Sequence, residues 1–348
     1  NFESAIRSIG SNCQEDVLIL VETTVPPGTC NKVVKPIIVE ELKRRGLATK
    51  NFKLGHSYER VMPGPDYIDS IREFPRVYSG LNKENADDVE IFLKTIIDVS
   101  TCSLTRLEST NATEMAKVLE NSYRAMNIAF AVEWSRYAEE MGVNLYGIVD
   151  AIRVRKTHSN LMYPGIGVGG YCLTKDPLLA SWSRKAFFNS DSDLNMSVDS
   201  VSTNDQMPVF AFERLIKIFG PLKNLKITVL GVSYRGDVAD TRFSPVEVLT
   251  NLIKETGSIV NFHDPFVLHW LEQDSDVQQD LSIALEPCPD LIIISTGHSL
   301  YKSEKTLQIL MTLAPCKIFD TVGILNDEQV KTLMTKHHVS VLGRGDIE

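Results

Sequence analysis

Short runs in which almost every residue is apolar constrain this chain more than any other feature. Asp16-Val17-Leu18-Ile19-Leu20-Val21 is the first; Lys226–Val232, Ile259–His263, Leu291–Ser295, Lys317–Asp320 and Val339–Leu342 follow. A strand without polar alternation is covered on both faces, and that cover comes from the crossover helices of a parallel sheet. The five later runs alternate with helix-length stretches, which predicts a doubly wound parallel sheet over residues 205–348. Asp205 is expected to cap its first helix, with Pro208 in the first turn and Gly220 at the end; Ser244 caps another, with Pro245 at N1. Phe52–Gly55, Arg76–Ser79 and Thr101–Leu107 are further strand candidates, with a helix near 85–97, so residues 1–107 predict the trailing part of a second sheet of this kind.

Residues 108–204 form the middle part. Met115, Val118, Leu119, Ser122, Met126, Phe130, Trp134, Tyr137, Ala138 and Met141 recur at steps of three and four. Ser109 or Thr110 suits the N-cap and Gly142 the terminator. One helix of about thirty residues, roughly 45 Å long, is predicted. That length exceeds a small domain, and Ile128, Ala129, Ala131 and Val132 widen the apolar face, which favours a homodimer. Lys117 and Asn121, four apart, share a helix face off the stripe; taken alone they read as solvated surface. The fold class is therefore α/β, two doubly wound parallel-sheet domains (1–107 and 205–348) joined by a helical middle domain (108–204).

The middle domain also holds Pro164-Gly165-Ile166-Gly167-Val168-Gly169-Gly170-Tyr171-Cys172-Leu173-Thr174-Lys175-Asp176. Four glycines in six positions let backbone approach a neighbour closely. A thiol is a nucleophile as its thiolate, which a nearby cation such as Lys175 favours. By itself a G-G-x-C of this kind reads better as a buried cysteine behind a turn.

Composition excludes several classes. A net charge of −9 lacks the basic excess of a nucleic-acid binder. The six cysteines are scattered, without CxxC or Cys/His clusters, which speaks against a disulfide frame or a metal site and for a reducing, cytoplasmic setting. No apolar run has the length of a membrane span.

The glycine–cysteine loop with its Lys-Asp ending closely resembles the catalytic-cysteine loop of the UDP-glucose/GDP-mannose dehydrogenase family. Four further segments resemble that family in order: Thr23-Thr24-Val25-Pro26-Pro27-Gly28-Thr29; His56-Ser57-Tyr58-Glu59-Arg60-Val61-Met62-Pro63-Gly64; Thr113–Asn121, matching E-x-x-K-x-x-x-N; and Leu230–Arg242, matching L-G-x-x-Y/F-K-x-x-x-x-D-T-R. The resemblance makes the two sheet domains Rossmann-like. It implies NAD-dependent, two-step oxidation of a UDP-sugar C6 alcohol to the uronate, through a thiohemiacetal and a thioester on Cys172. It implies oxyanion stabilisation by Lys117 and Asn121, proton handling by Asp176, and placement of water and nicotinamide by Thr24 and Glu59. Lys175 and Arg242 would lie toward the cofactor; Tyr234 and Arg235 toward the uridine diphosphate, with Tyr163 and Gly169 beside the substrate. Arg155, with His158 near it, would reach a neighbouring subunit's substrate.

Three departures stand out. Tyr58 occupies a position where proline is usual, and Arg235 one where lysine is usual. No G-x-G-x-x-G opens the chain, so the leading βα units are expected to be truncated or omitted. The E-R-V-M-P-G form is closer to the UDP-N-acetylhexosamine branch than to the UDP-glucose branch. The alternatives are an inactive UDP-sugar-binding fragment, a UDP-glucose 6-dehydrogenase, and a cysteine hydrolase pairing Cys172 with His158; the β-hydroxyacid dehydrogenases share the three-part layout but not the cysteine loop.

Overall fold

The computed structural model describes residues 1–61, 64 and 66–347. Met62 and Pro63, on which part of the branch comparison turns, lie outside them. Two compact units are present, one of residues 1–123 with 176–198, the other of residues 124–175 with 199–348.

In the first unit, strands β1 (Leu18–Val21), β2 (Lys53–Tyr58), β3 (Arg76–Gly80) and β4 (Leu104–Arg106) form one sheet in that order. β1 and β2 are parallel, as are β3 and β4, but β2 and β3 run antiparallel. Among the described residues the connection from β2 to β3 holds one short helix, Tyr67–Arg72. Helices α1 (Phe2–Asn12), α2 (Lys35–Arg44), α3 (Tyr67–Arg72) and α4 (Lys83–Leu93) accompany the sheet. Alternate β1 residues serve two cores: Ile19 and Val21 join Ile6, Ile38 and Leu42, while Leu18 and Leu20 pack on Tyr78, Val89 and Leu93. This two-sided burial is why the run reads as continuously apolar.

Helix α5 spans Thr110–Glu140. Ser109 Oγ accepts from the Ala112 N–H at 3.3 Å, and Gly142 follows the helix with φ of 68°. Its buried apolar positions are small or branched (Val118, Ala125, Ala129, Val132), whereas Met115, Leu119, Phe130, Trp134 and Tyr137, and Met141 just past its end, are exposed. The chain continues as α6 (Leu145–Arg153), then α7 (Asp176–Phe188), α8 (Asn195–Asp205) and α9 (Met207–Phe219). Asp205 is thus the last residue of α8 and not the cap of α9; Gln206 precedes α9, with Pro208 in its first turn.

The second unit carries β5 (Lys226–Leu230), β6 (Ile259–His263), the short antiparallel pair β7 (His269–Trp270) and β8 (Ser275–Asp276), β9 (Leu291–Ile294), β10 (Lys317–Asp320) and β11 (His338–Val341). The main sheet has the order β11-β10-β9-β5-β6 and every pair is parallel. Helices α10 (Pro245–Glu255), α11 (Leu281–Ala284), α12 (Glu304–Thr312) and α13 (Asp327–Met334) complete the fold. Ile227, Val229 and Ile293 pack with Leu215 and Leu249, while Leu230, Ile292 and Ile294 pack with Leu310 and Leu333. The fold is mixed α/β: the second unit's main sheet is parallel throughout as expected, the first unit's sheet is parallel except for the antiparallel β2–β3 pair, and the middle region is helical.

Candidate active site

In the first unit, α5 brings three of the expected residues together. Lys117, Asn121 and Asp176 are all buried, so the face that reads as solvated surface is covered. Lys117 Nζ donates to the Glu59 carbonyl at 3.0 Å, and Asn121 Nδ2 donates to Asp176 Oδ2 at 2.7 Å. Asp176 is the first residue of α7, where the helix dipole favours a carboxylate. An amide carries two N–H donors; Asp176 uses one and fixes the direction of the other. Glu59 turns its carboxylate back onto the Val61 N–H. It also acts on Glu22, whose pKa burial pushes up, Arg76 lowers and Glu59 raises further.

The segment after β1 is tied to the same helix. Glu114, fully buried and three residues before Lys117, accepts from the Gly28 N–H at 2.6 Å and the Cys30 N–H at 2.7 Å. Burial raises the Glu114 pKa, and those N–H groups oppose the rise. Thr24, in this segment, lines a cavity of about 470 Å³ with Thr23, Pro26, Trp182 and Phe187. Hydroxyls facing aromatic walls suit a nicotinamide ring and its carboxamide, so the residues present fit that end of a dinucleotide.

In the second unit, Cys172 is exposed. Its loop lies against the β5–α10 segment: the Gly170 N–H donates to the Arg242 carbonyl at 3.0 Å. A Cβ on Gly170 would come within 2.8 Å of the Tyr234 ring, and one on Gly169 would overlap Tyr234 Cβ. Gly170 also has φ of 79°, which side chains rarely adopt. The Tyr234 pKa is raised by burial first, then by Asp240, with the Cys172 sulfur contributing. Lys175 Nζ sits 4.6 Å from the Tyr171 ring centroid, and a cavity of about 380 Å³ is lined by Tyr171, Thr174, Lys175 and Phe243. Arg242 is exposed and makes a two-point pair with Asp240 at 2.9 and 2.7 Å. Arg235 is exposed. Tyr163 stacks on Tyr146 and donates to Asp150. Arg155 and His158 are exposed, and His158 Nδ1 is bonded to Thr157 Oγ1 at 2.9 Å.

A buried network beneath this segment leaves no periodic trace in the sequence. Asp264 Oδ2 accepts from the Val232 N–H at 2.9 Å and from His298 Nε2 at 3.0 Å. His298 Nδ1 accepts from the Asp237 N–H at 2.9 Å, which places the ring proton on Nε2. His298 and Asp264 are fully buried. The Asp264 pKa is lowered: burial pushes it up, but the hydrogen bonds from His298 and from the Val232 and Phe266 N–H groups outweigh that. The signal available was His263-Asp264-Pro265 after a strand; His298, beyond β9, carried none.

Among the described residues no group of His, Cys, Asp and Glu is arranged to hold a metal ion, and no helix is long and apolar enough to cross a membrane.

A four-stranded α/β sheet in one unit and, in the other, a five-stranded parallel sheet with a thiol loop packed on its first βα segment fit one class: oxidoreductases taking a dinucleotide cofactor and a nucleotide-linked substrate. Sequence models of the UDP-glucose/GDP-mannose dehydrogenase family match in three blocks: the NAD-binding domain at residues 1–97, the central domain at 111–204 and the UDP-binding domain at 228–327. The UDP-N-acetyl-D-mannosamine dehydrogenase of Methanococcus vannielii is 32% identical across 98% of this chain and 74% of its own length. The solved UDP-D-ManNAc dehydrogenase of Pyrococcus horikoshii has a TM-score of 0.81 at 30% identity, covering 99% of this chain and 77% of that one. The NDP-N-acetyl-D-galactosaminuronic acid dehydrogenase of Methanosarcina mazei gives 0.83 at 26%, over 99% and 73%. The chain belongs to the UDP-glucose/GDP-mannose dehydrogenase family. It is an NAD-dependent oxidoreductase of a UDP-sugar, which displaces the hydrolase reading.

Proposed function

We propose that the protein oxidises the C6 alcohol of a UDP-N-acetylhexosamine to the uronate, with Cys172 as covalent nucleophile and Lys117, Asn121 and Asp176 as the polar face serving C6. The observation that carries this is the buried trio itself, Lys117 bonded to Glu59 and Asn121 to Asp176. The names of the relatives support an N-acetylhexosamine.

When bound, NAD supplies the acceptor for the two hydride equivalents that leave C6; Thr24 and Glu59, with Lys175 and Arg242, are the residues assigned to hold it. Tyr234, Arg235, Tyr163 and Gly169 are assigned to the UDP-sugar, and Arg155 with His158 to a neighbouring subunit's substrate. At the aldehyde stage the Cys172 sulfur adds to the carbonyl carbon, and the electron pair moves to oxygen. Preorganised N–H donors stabilise such an oxyanion without reorganisation; Lys117 and the second N–H of Asn121 fill that role. At the thioester stage water adds to the same carbon, Asp176 takes its proton, and the thiolate leaves. Glu59, beside Glu22, restrains that water.

We read the chain as three functional parts, 1–107, 108–204 and 205–348, a division the three family matches support. The six scattered cysteines, with no disulfide among the described residues, support a cytoplasmic location. The outward row on α5 (Phe130, Trp134, Tyr137 and Met141, between 46% and 58% exposed) supports a homodimer; a row of large apolar side chains that stays in water marks an interaction surface.

The test is NADH formation from UDP-N-acetylglucosamine, UDP-N-acetylgalactosamine, UDP-N-acetylmannosamine and UDP-glucose in parallel. One N-acetylated sugar should be preferred, and Cys172→Ala should abolish net uronate formation. Preference for UDP-glucose overturns the substrate; steady uronate production by Cys172→Ala overturns the thioester.

A further inference from the structure

Tyr58, where the family pattern has proline, has a task in the structure. It ends β2 and is 2% exposed. The Lys117 ammonium lies 5.5 Å from its ring centroid and donates to the carbonyl of the next residue, Glu59. Among the described residues Lys117 forms no ion pair. A carboxylate partner would compete with a substrate oxygen for the ammonium, whereas a ring face attracts a cation without accepting its proton. The ring is itself held. Its hydroxyl is 3.4 Å from Glu120 Oε2 and accepts from Arg60 Nη2 at 3.2 Å, and Arg60 pairs with Glu120 at 2.8 Å. Glu120 follows Lys117 by three residues on α5, so the clamp and the lysine share one rigid element. Arg60 also lies 5.3 Å from the ring centroid, and Glu120 balances its charge. Proline offers neither a ring face with π electrons nor a hydroxyl.

We propose that Tyr58 is a positioning residue for Lys117: its ring steadies the ammonium toward the sugar oxygen, and the Arg60–Glu120 pair steadies the ring. This rests on the reading of Lys117 as the group that stabilises the oxyanion.

The experiment is a double-mutant cycle of Tyr58→Leu with Lys117→Ala, plus Tyr58→Phe, on the full chain with NAD and the preferred UDP-sugar. Tyr58→Leu should lower kcat roughly tenfold, with the KM for NAD unchanged. It should also enlarge the isotope effect seen with substrate deuterated at C6, because the chemical step itself slows; partial unfolding would lower the rate and leave that effect alone. Tyr58→Phe should keep kcat within about threefold. In the Lys117→Ala background Tyr58→Leu should cost nothing more. If Lys117→Ala turns over like the parent, the reading of Lys117 falls and the proposal with it. If Lys117→Ala is slow but Tyr58→Leu is unaffected, loses kcat without a change in isotope effect, or is matched by Tyr58→Phe, only the Tyr58 proposal is overturned.

Discussion

His298 offers a direct probe of how the substrate-binding segment is kept in shape. Its ring bridges the Asp237 N–H, at 2.9 Å, and the Asp264 carboxylate, at 3.0 Å. His298→Ala removes both bonds. Asp264 still accepts from the Val232, Phe266 and Val267 N–H groups and from Ser233, so its end of the network survives. The Asp237 N–H is left without its acceptor, although the Asp237 carboxylate stays bonded to the Ser299 N–H at 2.9 Å. One neutral bond at about 1 kcal/mol and one to a carboxylate at about 2 give roughly 3 kcal/mol at most. The Ser299 tether retains part of that, leaving about 2 kcal/mol to be recovered when UDP-sugar orders the segment. At about 1.4 kcal/mol per decade, this is roughly a thirtyfold weaker Kd. Calorimetric titration with UDP-N-acetylglucosamine reads the Kd, and NADH formation reads the KM for NAD, expected to stay within about twofold because the affected segment belongs to the UDP-binding domain. A folded His298→Ala protein that binds the sugar nucleotide as tightly as the parent would refute the reasoning.

Asp320 makes stability depend on pH. Its fully buried carboxyl is pushed up to about 6 by burial, against the pull of backbone N–H groups. A raised acid contributes stability below its ordinary range near 4 and loses it as pH climbs through about 6. The parent should therefore lose about 3 kcal/mol relative to Asp320→Asn between pH 4 and 7, read from denaturant midpoints of both proteins; parallel pH curves would contradict this. Trp134 lies 6.0 Å, ring to ring, from both Phe130 and Tyr137, and Trp134→Asp should shift the protein from dimer to monomer in sedimentation velocity. An unchanged profile would remove α5 as the contact.

Period and apolarity carried the strands, α5 and the second sheet, because each is a local pattern repeated along the chain. Which side of α5 faces inward was only partly legible: of the apolar row, Val118 and Ala138 are buried but Phe130, Trp134 and Tyr137 are exposed, and Ala125, Ala129 and Val132 outside the row are buried as well. Lys117 and Asn121 read as solvated when taken alone, since their cover comes from Glu59 and Asp176, 58 and 55 positions away. α8 left a polar sequence with no clear stripe, and Asp205 resembled a cap because nothing local says that a helix has just ended there. Glu114 and His298 act on backbone N–H groups remote in sequence, 84 and 61 positions away. Such partnerships leave no spacing to read.

The contact between Gly169, Gly170 and the Tyr234 side chain admits nothing larger than hydrogen. The sulfur, two residues beyond Gly170, is therefore referenced to the first βα segment of the second sheet by the Gly170–Arg242 backbone bond and by the half-buried Tyr234 ring packed on the two glycines. Under the proposed function, a sugar nucleotide held there is measured as well as bound: the span from its uracil end to its reacting carbon has to match the fixed distance between this segment and the sulfur.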